Sequence, residues 1–300
     1  MLLRRRRGAS LTRRALTGWA VAVAGVVVGA GCGTSPAAPA APVLRVVATN
    51  FAMSELVHGV GGARVSVIDL AQGAADDRTI APDGAQRAAL ASAQLVVEVG
   101  GGWQPLVEAA AGNGANVLAL GHQGSATGSQ VWVDPVAMQA ASQALAAKLI
   151  ALDPQGASAY RNGVRDFNDN LSSVSVDYQS SLGDCEYSQI FTPDSAFATV
   201  AARYGLRLHS LPSASGNAEL AATETAAATQ SYHAVFAEPP LPSPQITALA
   251  RRGKSSIGEL DTMDGPPIKA EPLASTYVDR LEANLTYLTG ALYCQDVNGP

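Results

Sequence analysis

"DPVAMQAASQALAAKLIALD" at residues 134–153 runs directly into "PQGASAYRNGVRDFNDNLSSVSVDYQSSLGD" at 154–184. Both segments have a helical pattern, and no apolar strand run separates them. Asp134 and Pro135 fit a helix cap and a first helical position, because Asp accepts from free amides and Pro has no amide to satisfy. On either side of this pair the chain alternates short strands with helices. A long helix placed after a complete set of βα units is most simply a rigid connector between lobes. The expected connector covers residues 154–182.

Before it, "LRVVATN" (44–50), "ARVSVIDLA" (63–71), "QLVVEVGG" (94–101) and "ANVLALG" (115–121) read as strands. "FAMSELVHGVGG" (51–62), "PDGAQRAALASA" (82–93) and "WQPLVEAAAGNG" (103–114) read as the helices between them. "HQGSATGSQ" (122–130) is a polar Gly/Ser-rich loop. After the connector the alternation resumes. Strands are expected in "YSQIFTP" (187–193), "LRLHSLP" (206–212), "YHAVFAEP" (232–239) and "SSIGELD" (255–261). Helices are expected in "DSAFATVAARYG" (194–205), "NAELAATETAAATQS" (217–231), "PSPQITALARRG" (242–253) and "ASTYVDRLEANLTYLTGALYC" (274–294). Strands alternating with helices imply parallel pairing. The expected fold class is therefore α/β, with two βα lobes of parallel sheet at 44–153 and 183–300 joined by a long rigid helix.

Composition narrows the function. The chain has 300 residues, 47% hydrophobic and 15% charged, enough apolar material for two medium cores. Its formal charge is −5, and many of its arginines lie in the first 14 residues, so it carries no basic footprint for nucleic acid. No Gly-x-Ser-x-Gly elbow, HExxH or P-loop is present, and no enzyme is expected.

The first 43 residues read as an address. "MLLRRRRGASLTRR" is a positive leader, "ALTGWAVAVAGVVVGAG" an apolar run, and Cys32 follows at once, as in a bacterial lipoprotein signal. Residues 1–31 would be removed, Cys32 lipidated, and the Pro/Ala-rich stretch 32–43 left as a tether to the outer face of the cell membrane. Gly29 stands where a larger aliphatic is usual, a plain transmembrane helix has a similar length, and "TRRAL" also resembles a twin-arginine signal. With Cys32 lipidated, Cys185 and Cys294 are an even pair in an oxidising compartment, and a disulfide between them is expected, the alternative being two separate buried thiols.

The order of segments resembles the substrate-binding lipoproteins of bacterial zinc and manganese ABC transporters, the cluster A-I solute-binding family. The likeness covers residues 44–294. It rests on "VVATNFAMSELVHGVGG", "GAADDRTIAPDGAQRAALASAQLVVEVGGGWQPLV", "VWVDPVAMQAASQALAAKLIALDP", "DSAFATVAARYGL", "VFAEPP" and "GELDTMDG". The resemblance implies a metal in the cleft between lobes, an ABC permease as partner, and a monomer. It places the usual ligands at Asp76 or its neighbour Asp77, at Gln130, at Asp194 and at Asp261. Histidines stand at several of these positions in the family, and none does here.

His58, His122, His209 and His233 lie outside these positions, with His122 in the polar loop eight residues before Gln130. Carboxylates and an amide oxygen suit hard ions such as manganese better than zinc. Clustered carboxylates also repel one another unless a cation or Arg78 neutralises them. Asp194 in "TPDSAF" can equally cap a helix, and Glu238 in "VFAEPP" is a further acid at a strand end. The expected function is an extracytoplasmic receptor delivering a divalent cation of the zinc or manganese class to an ABC transporter with an altered ligand set. The alternative is a lipoprotein that kept the fold, lost the metal, and acts structurally or in regulation.

Overall fold

Short apolar runs that cannot be buried alone set the first lobe. In the computed structural model, which describes residues 43–74, 76–112, 116–121, 130–211, 234–238, 244–265 and 276–295, β1 (Leu44–Ala48) lies between β2 (Val65–Asp69) and β3 (Leu95–Glu98). With β4 (Val117–Ala119) the sheet order is β2-β1-β3-β4, and every pairing is parallel. Val46 faces Val67 on one side and Leu95 on the other. Parallel neighbours need crossovers, supplied by α1 (Phe51–Gly61), α2 (Gly84–Ser92) and α3 (Pro105–Ala111). Asn50 caps α1 by accepting from the Met53 amide at 2.9 Å.

The segment first quoted forms α4 (Pro135–Leu152) and α5 (Ala157–Ser181), with a single 3₁₀ turn at Pro154–Gly156 between them. Asp134 caps α4 and also chelates Arg203 with both oxygens, at 3.0, 3.0 and 2.8 Å. The 25 residues of α5 extend about 37 Å at 1.5 Å per residue. α5 packs on α4, α1 and the last helix. Its crossing with α1 is close because Gly163 has no side chain, and a Cβ there would collide with the Val60 carbonyl. Asp153 fixes the entry to α5, accepting from Arg64 Nε at 2.7 Å and from the Tyr160 hydroxyl at 2.9 Å.

The second lobe pairs β5 (Gln189–Thr192) with β6 (Arg207–Ser210), and β7 (Ala234–Ala237) with β8 (Ser256–Glu259), both parallel. β7 runs beside β5. α6 (Ala198–Arg203), α7 (Pro244–Gly253) and α8 (Tyr277–Leu292) cover these strands. α6 begins four residues later than its sequence pattern suggests. Asp194 does not cap it; instead its Oδ1 accepts from the Ala196 amide at 2.7 Å in a local turn. Tyr178 of α5 donates to the Leu281 carbonyl of α8 at 2.7 Å. Cys185 and Cys294 are joined by a disulfide 109 residues apart in sequence. Residues 41–300 form one compact unit. Among the described residues no helix is long and apolar enough to cross a membrane. Cys32, His122, His233 and the expected helix at 217–231 lie outside the described residues.

Candidate functional site

Five backbone segments meet between the lobes. The first is the turn after β2, where Asp76 caps a 3₁₀ turn at Asp77–Thr79. Asp76 Oδ1 accepts from the Arg78 amide and Nε at 2.9 and 3.0 Å, and Oδ2 accepts from Nη2 at 3.0 Å. Burial alone would raise Asp76, but the hydrogen bonds and charge of Arg78 outweigh it and hold the carboxyl below its ordinary value. The guanidinium lies 5.8 Å from the Trp103 ring centre, and Trp103 meets Trp132 edge to face at 5.3 Å. Gly100, Gly101 and Gly102 all have positive φ, which only glycine adopts freely, and this tight turn delivers Trp103 to that position.

Gln130 belongs to the second segment and is 3% exposed. Its amide donates to the Ala196 carbonyl at 3.1 Å, and its Nε2 to Asp264 Oδ2 at 2.9 Å. Asp194 and Glu238 come from the ends of β5 and β7, and Glu238 shares a hydrogen bond with Asp194. Burial pushes Glu238 up to about 8, with Asp194 and Asp264 adding to the rise and Arg78 opposing it. Burial likewise raises Asp264 to about 7 against the pull of Arg78 and the Gln130 hydrogen bond. The rise of both acids is opposed by the charge of the half-exposed Arg78.

Asp261, the fourth expected ligand, is used elsewhere. Its Oδ2 and Oδ1 accept from Arg280 Nε and Nη2, both at 2.6 Å, and Oδ1 also accepts from the Met263 amide at 2.8 Å. Asn284 holds the Asp261 amide and carbonyl at 2.7 and 2.9 Å. A carboxylate so engaged by a buried guanidinium has little left for a cation. The acid of this loop that reaches Gln130 is Asp264, three residues on. Asp77 is 1% exposed, and its amide donates to the Asp264 carbonyl at 2.7 Å. Burial and the Asp264 charge push its carboxyl up to about 8.

The side chains left without partners describe what the cleft accepts. Gln130 Oε1, Glu238 Oε1 and Asp264 Oδ1 are buried with no hydrogen-bond donor. Buried acceptors lacking donors are costly unless a proton or cation reaches them. Among the described residues, no three His, Cys, Asp or Glu side chains are gathered in an arrangement that would hold a metal ion. The donor set is oxygen only, which fits a hard cation and offers nothing of the nitrogen or sulfur that zinc prefers.

Two parallel βα lobes on one long helix, with a polar cluster where they meet, define a solute-binding protein with a helical connector. Residues 46–291 match the family described as "Zinc-uptake complex component A periplasmic", and the chain belongs to that family of transport binding proteins, which are not enzymes. The high-affinity zinc uptake system protein ZnuA of Bacillus subtilis (strain 168) is 23% identical over 167 residues, covering 54% of this chain. The match spans about half of that relative's length, 52%. The laminin-binding protein Lmb of Streptococcus agalactiae, described as a bifunctional protein with adhesin and metal-transporting activity, superposes with a TM-score of 0.71 at 20% identity. The metal-dependent lipoprotein YcdH of Bacillus subtilis gives 0.69 at 22%. The cadmium-bound periplasmic metal-binding protein of Candidatus Liberibacter asiaticus gives 0.72 at 16%. Each of the three alignments covers 83% of this chain and 99% of the other. At such identities the likeness is one of fold.

Proposed function

We propose that the chain is an extracytoplasmic receptor that binds a divalent cation and hands it to an ABC permease, using an oxygen-only cargo site. Residues 1–31 act as the export signal, Cys32 carries the lipid, and 32–43 tether a monomer of two lobes, 44–153 and 183–300, to the membrane. Gln130, Glu238 and Asp264 are the cargo ligands in this reading, with Asp194 the hydrogen-bond partner of Glu238. Asp76 is the outer acid, paired with Arg78 until cargo competes for it, and Asp261 serves as a structural neighbour through Arg280.

The observation that supports this reading is the set of buried, unpartnered oxygens on Gln130, Glu238 and Asp264. A hard divalent ion satisfies such oxygens and supplies the charge that neighbouring acids lack. Manganese is therefore the expected cargo class, with zinc weaker. A second reading, a lipoprotein that kept the fold and lost the metal, draws on Arg78 standing among the acids as a built-in cation.

Metal analysis of the purified chain beside a chelated control separates the two. About one equivalent of a hard cation supports the receptor reading, and no metal under any loading condition supports the second. The variant Gln130→His restores a nitrogen donor at a position whose backbone the Ala196 carbonyl already fixes. It should tighten zinc binding by roughly tenfold or more in calorimetry. Zinc binding no tighter than in the parent, with the fold unchanged, would remove Gln130 from the cargo site.

A further inference from the structure

A cavity of about 520 Å³ lies between α1, the end of β2 and the start of α8, lined by Phe51, Glu55, His58, Asp69, Asp77 and Arg280 among others. Its size falls within the roughly 300–1,000 Å³ of small-molecule sites. Its wall carries three acids, Glu55, Asp69 and Asp77, beside Ser54, Gln72, His58 and Arg280. Asp77 is 1% exposed, and its Oδ2 has no partner. Asp69 commits Oδ1 to the Ala71 amide at 2.8 Å, and Glu55 commits Oε2 to the Tyr277 amide at 3.2 Å. His58 Nδ1 lies 2.9 Å from the Ser54 carbonyl, so Nδ1 carries a proton, and in the neutral ring Nε2 is an acceptor. Arg280, the cation in this wall, is engaged by both oxygens of Asp261 and by the Gly265 carbonyl, 4.7 Å from the Phe51 ring centre.

A ligand meeting this wall must bring donors and positive charge. Since no three metal-ligating acids or imidazoles are gathered closely enough among the described residues to hold an ion, separated acceptors are better bridged by an extended molecule than by a point charge. We propose that this cavity binds a small organic cation, an amine or guanidinium head on a short methylene stem, with the head between Asp69 and Asp77 and the stem along Phe51. Burial also raises the Asp69 carboxyl, against the Ala71 amide hydrogen bond, so a cationic head would relieve a desolvated acid. The site uses none of the side-chain oxygens of Gln130, Glu238 or Asp264, and it meets the cleft only at Asp77, whose amide donates to the Asp264 carbonyl.

The test titrates the full mature chain with agmatine, followed by calorimetry and by the imidazole resonances of His58. Saturable one-to-one binding that moves the His58 signal is expected, with neutral butanol giving none. Asp69→Asn and Glu55→Gln keep the oxygens that hold the Ala71 and Tyr277 amides, so the fold survives, and each should weaken agmatine roughly tenfold by removing a charged partner. Gln130→Ala should leave agmatine binding unchanged. The proposal is overturned if agmatine does not saturate, if both charge variants bind it as tightly as the parent, or if zinc moves the His58 signal and agmatine does not.

Discussion

Replacing Arg280 by methionine tests how the loop bearing Asp264 is held. The guanidinium is 1% exposed and Asp261 4%, and the variant deletes two 2.6 Å bonds, the 3.1 Å bond to the Gly265 carbonyl, and the contact with the Phe51 ring. Removing one partner of a buried pair typically costs about 3–5 kcal/mol, because the other charge is stranded. The lower end applies here. The Met263 amide still donates to Asp261 Oδ1, and Asn284 still grips the loop backbone on both sides. A loss of about 3 kcal/mol corresponds to a fall in Tm of roughly 6–12 °C for a domain of this size. Urea unfolding at neutral pH measures it as a shift in midpoint at constant m. Adding Asp261→Asn to the same chain removes the stranded charge and should recover about 2 kcal/mol. A single variant that loses under about 1 kcal/mol, or a double variant no more stable than the single, would refute a desolvated charge pair at this site.

Two further outcomes follow from the same structure. Asp77, Glu238 and Asp264 have folded-state values near 8, 8 and 7 against ordinary values of 3.8, 4.5 and 3.8, so the folded chain keeps protons that the unfolded chain releases. Their contribution is fully present below about pH 4 and is lost as pH rises through about 8. Chelated protein should therefore show a lower urea midpoint at about pH 8.5 than at about pH 5, and Glu238→Gln or Asp264→Asn should flatten that slope. A midpoint that rises across this range would contradict the assignment. Cys185→Ser with Cys294→Ser opens a loop closed over 109 residues, and chain entropy puts the loss at about 4–5 kcal/mol. Calorimetric melting of oxidised and mutant protein reads it directly, and equal melting points would show that the bridge constrains nothing.

The alternation of strands and helices, the parallel pairing and the connector were legible because each rests on local periodicity. The connector's pattern at 154–184 contains one 25-residue helix, α5, with Asp153 and a 3₁₀ turn at its entry. The choice between the two acids of "GELDTMDG" was not legible, since carrying over a family position selects Asp261 and says nothing of its partner. A signal was present in α8, where Tyr277, Arg280, Leu281, Asn284 and Leu288 make the buried stripe. An arginine on such a stripe needs a buried acid, and Asp261 meets that need, which leaves Asp264 to reach Gln130. Asp194 as a helix cap failed for a similar reason. The same carboxylate that can cap a helix can close a two-residue turn, and only the position of Ala198 as the first helical residue decides between them.

Beside the side-chain pairs Gln130–Asp264 and Arg203–Asp134, four contacts that join the lobes end on main-chain carbonyls. The Gln130 amide reaches the Ala196 carbonyl, Trp132 Nε1 the Thr262 carbonyl, the Asp77 amide the Asp264 carbonyl, and the Tyr277 hydroxyl the Trp132 carbonyl. Every acceptor in that set is main chain, present whatever residue occupies the position. Two of these four contacts, the Gln130 and Asp77 amides, are main chain on both sides and survive a change of side chain at either end. Such contacts let selection retune what the cleft recognises while the architecture persists across relatives that share about a fifth of their residues.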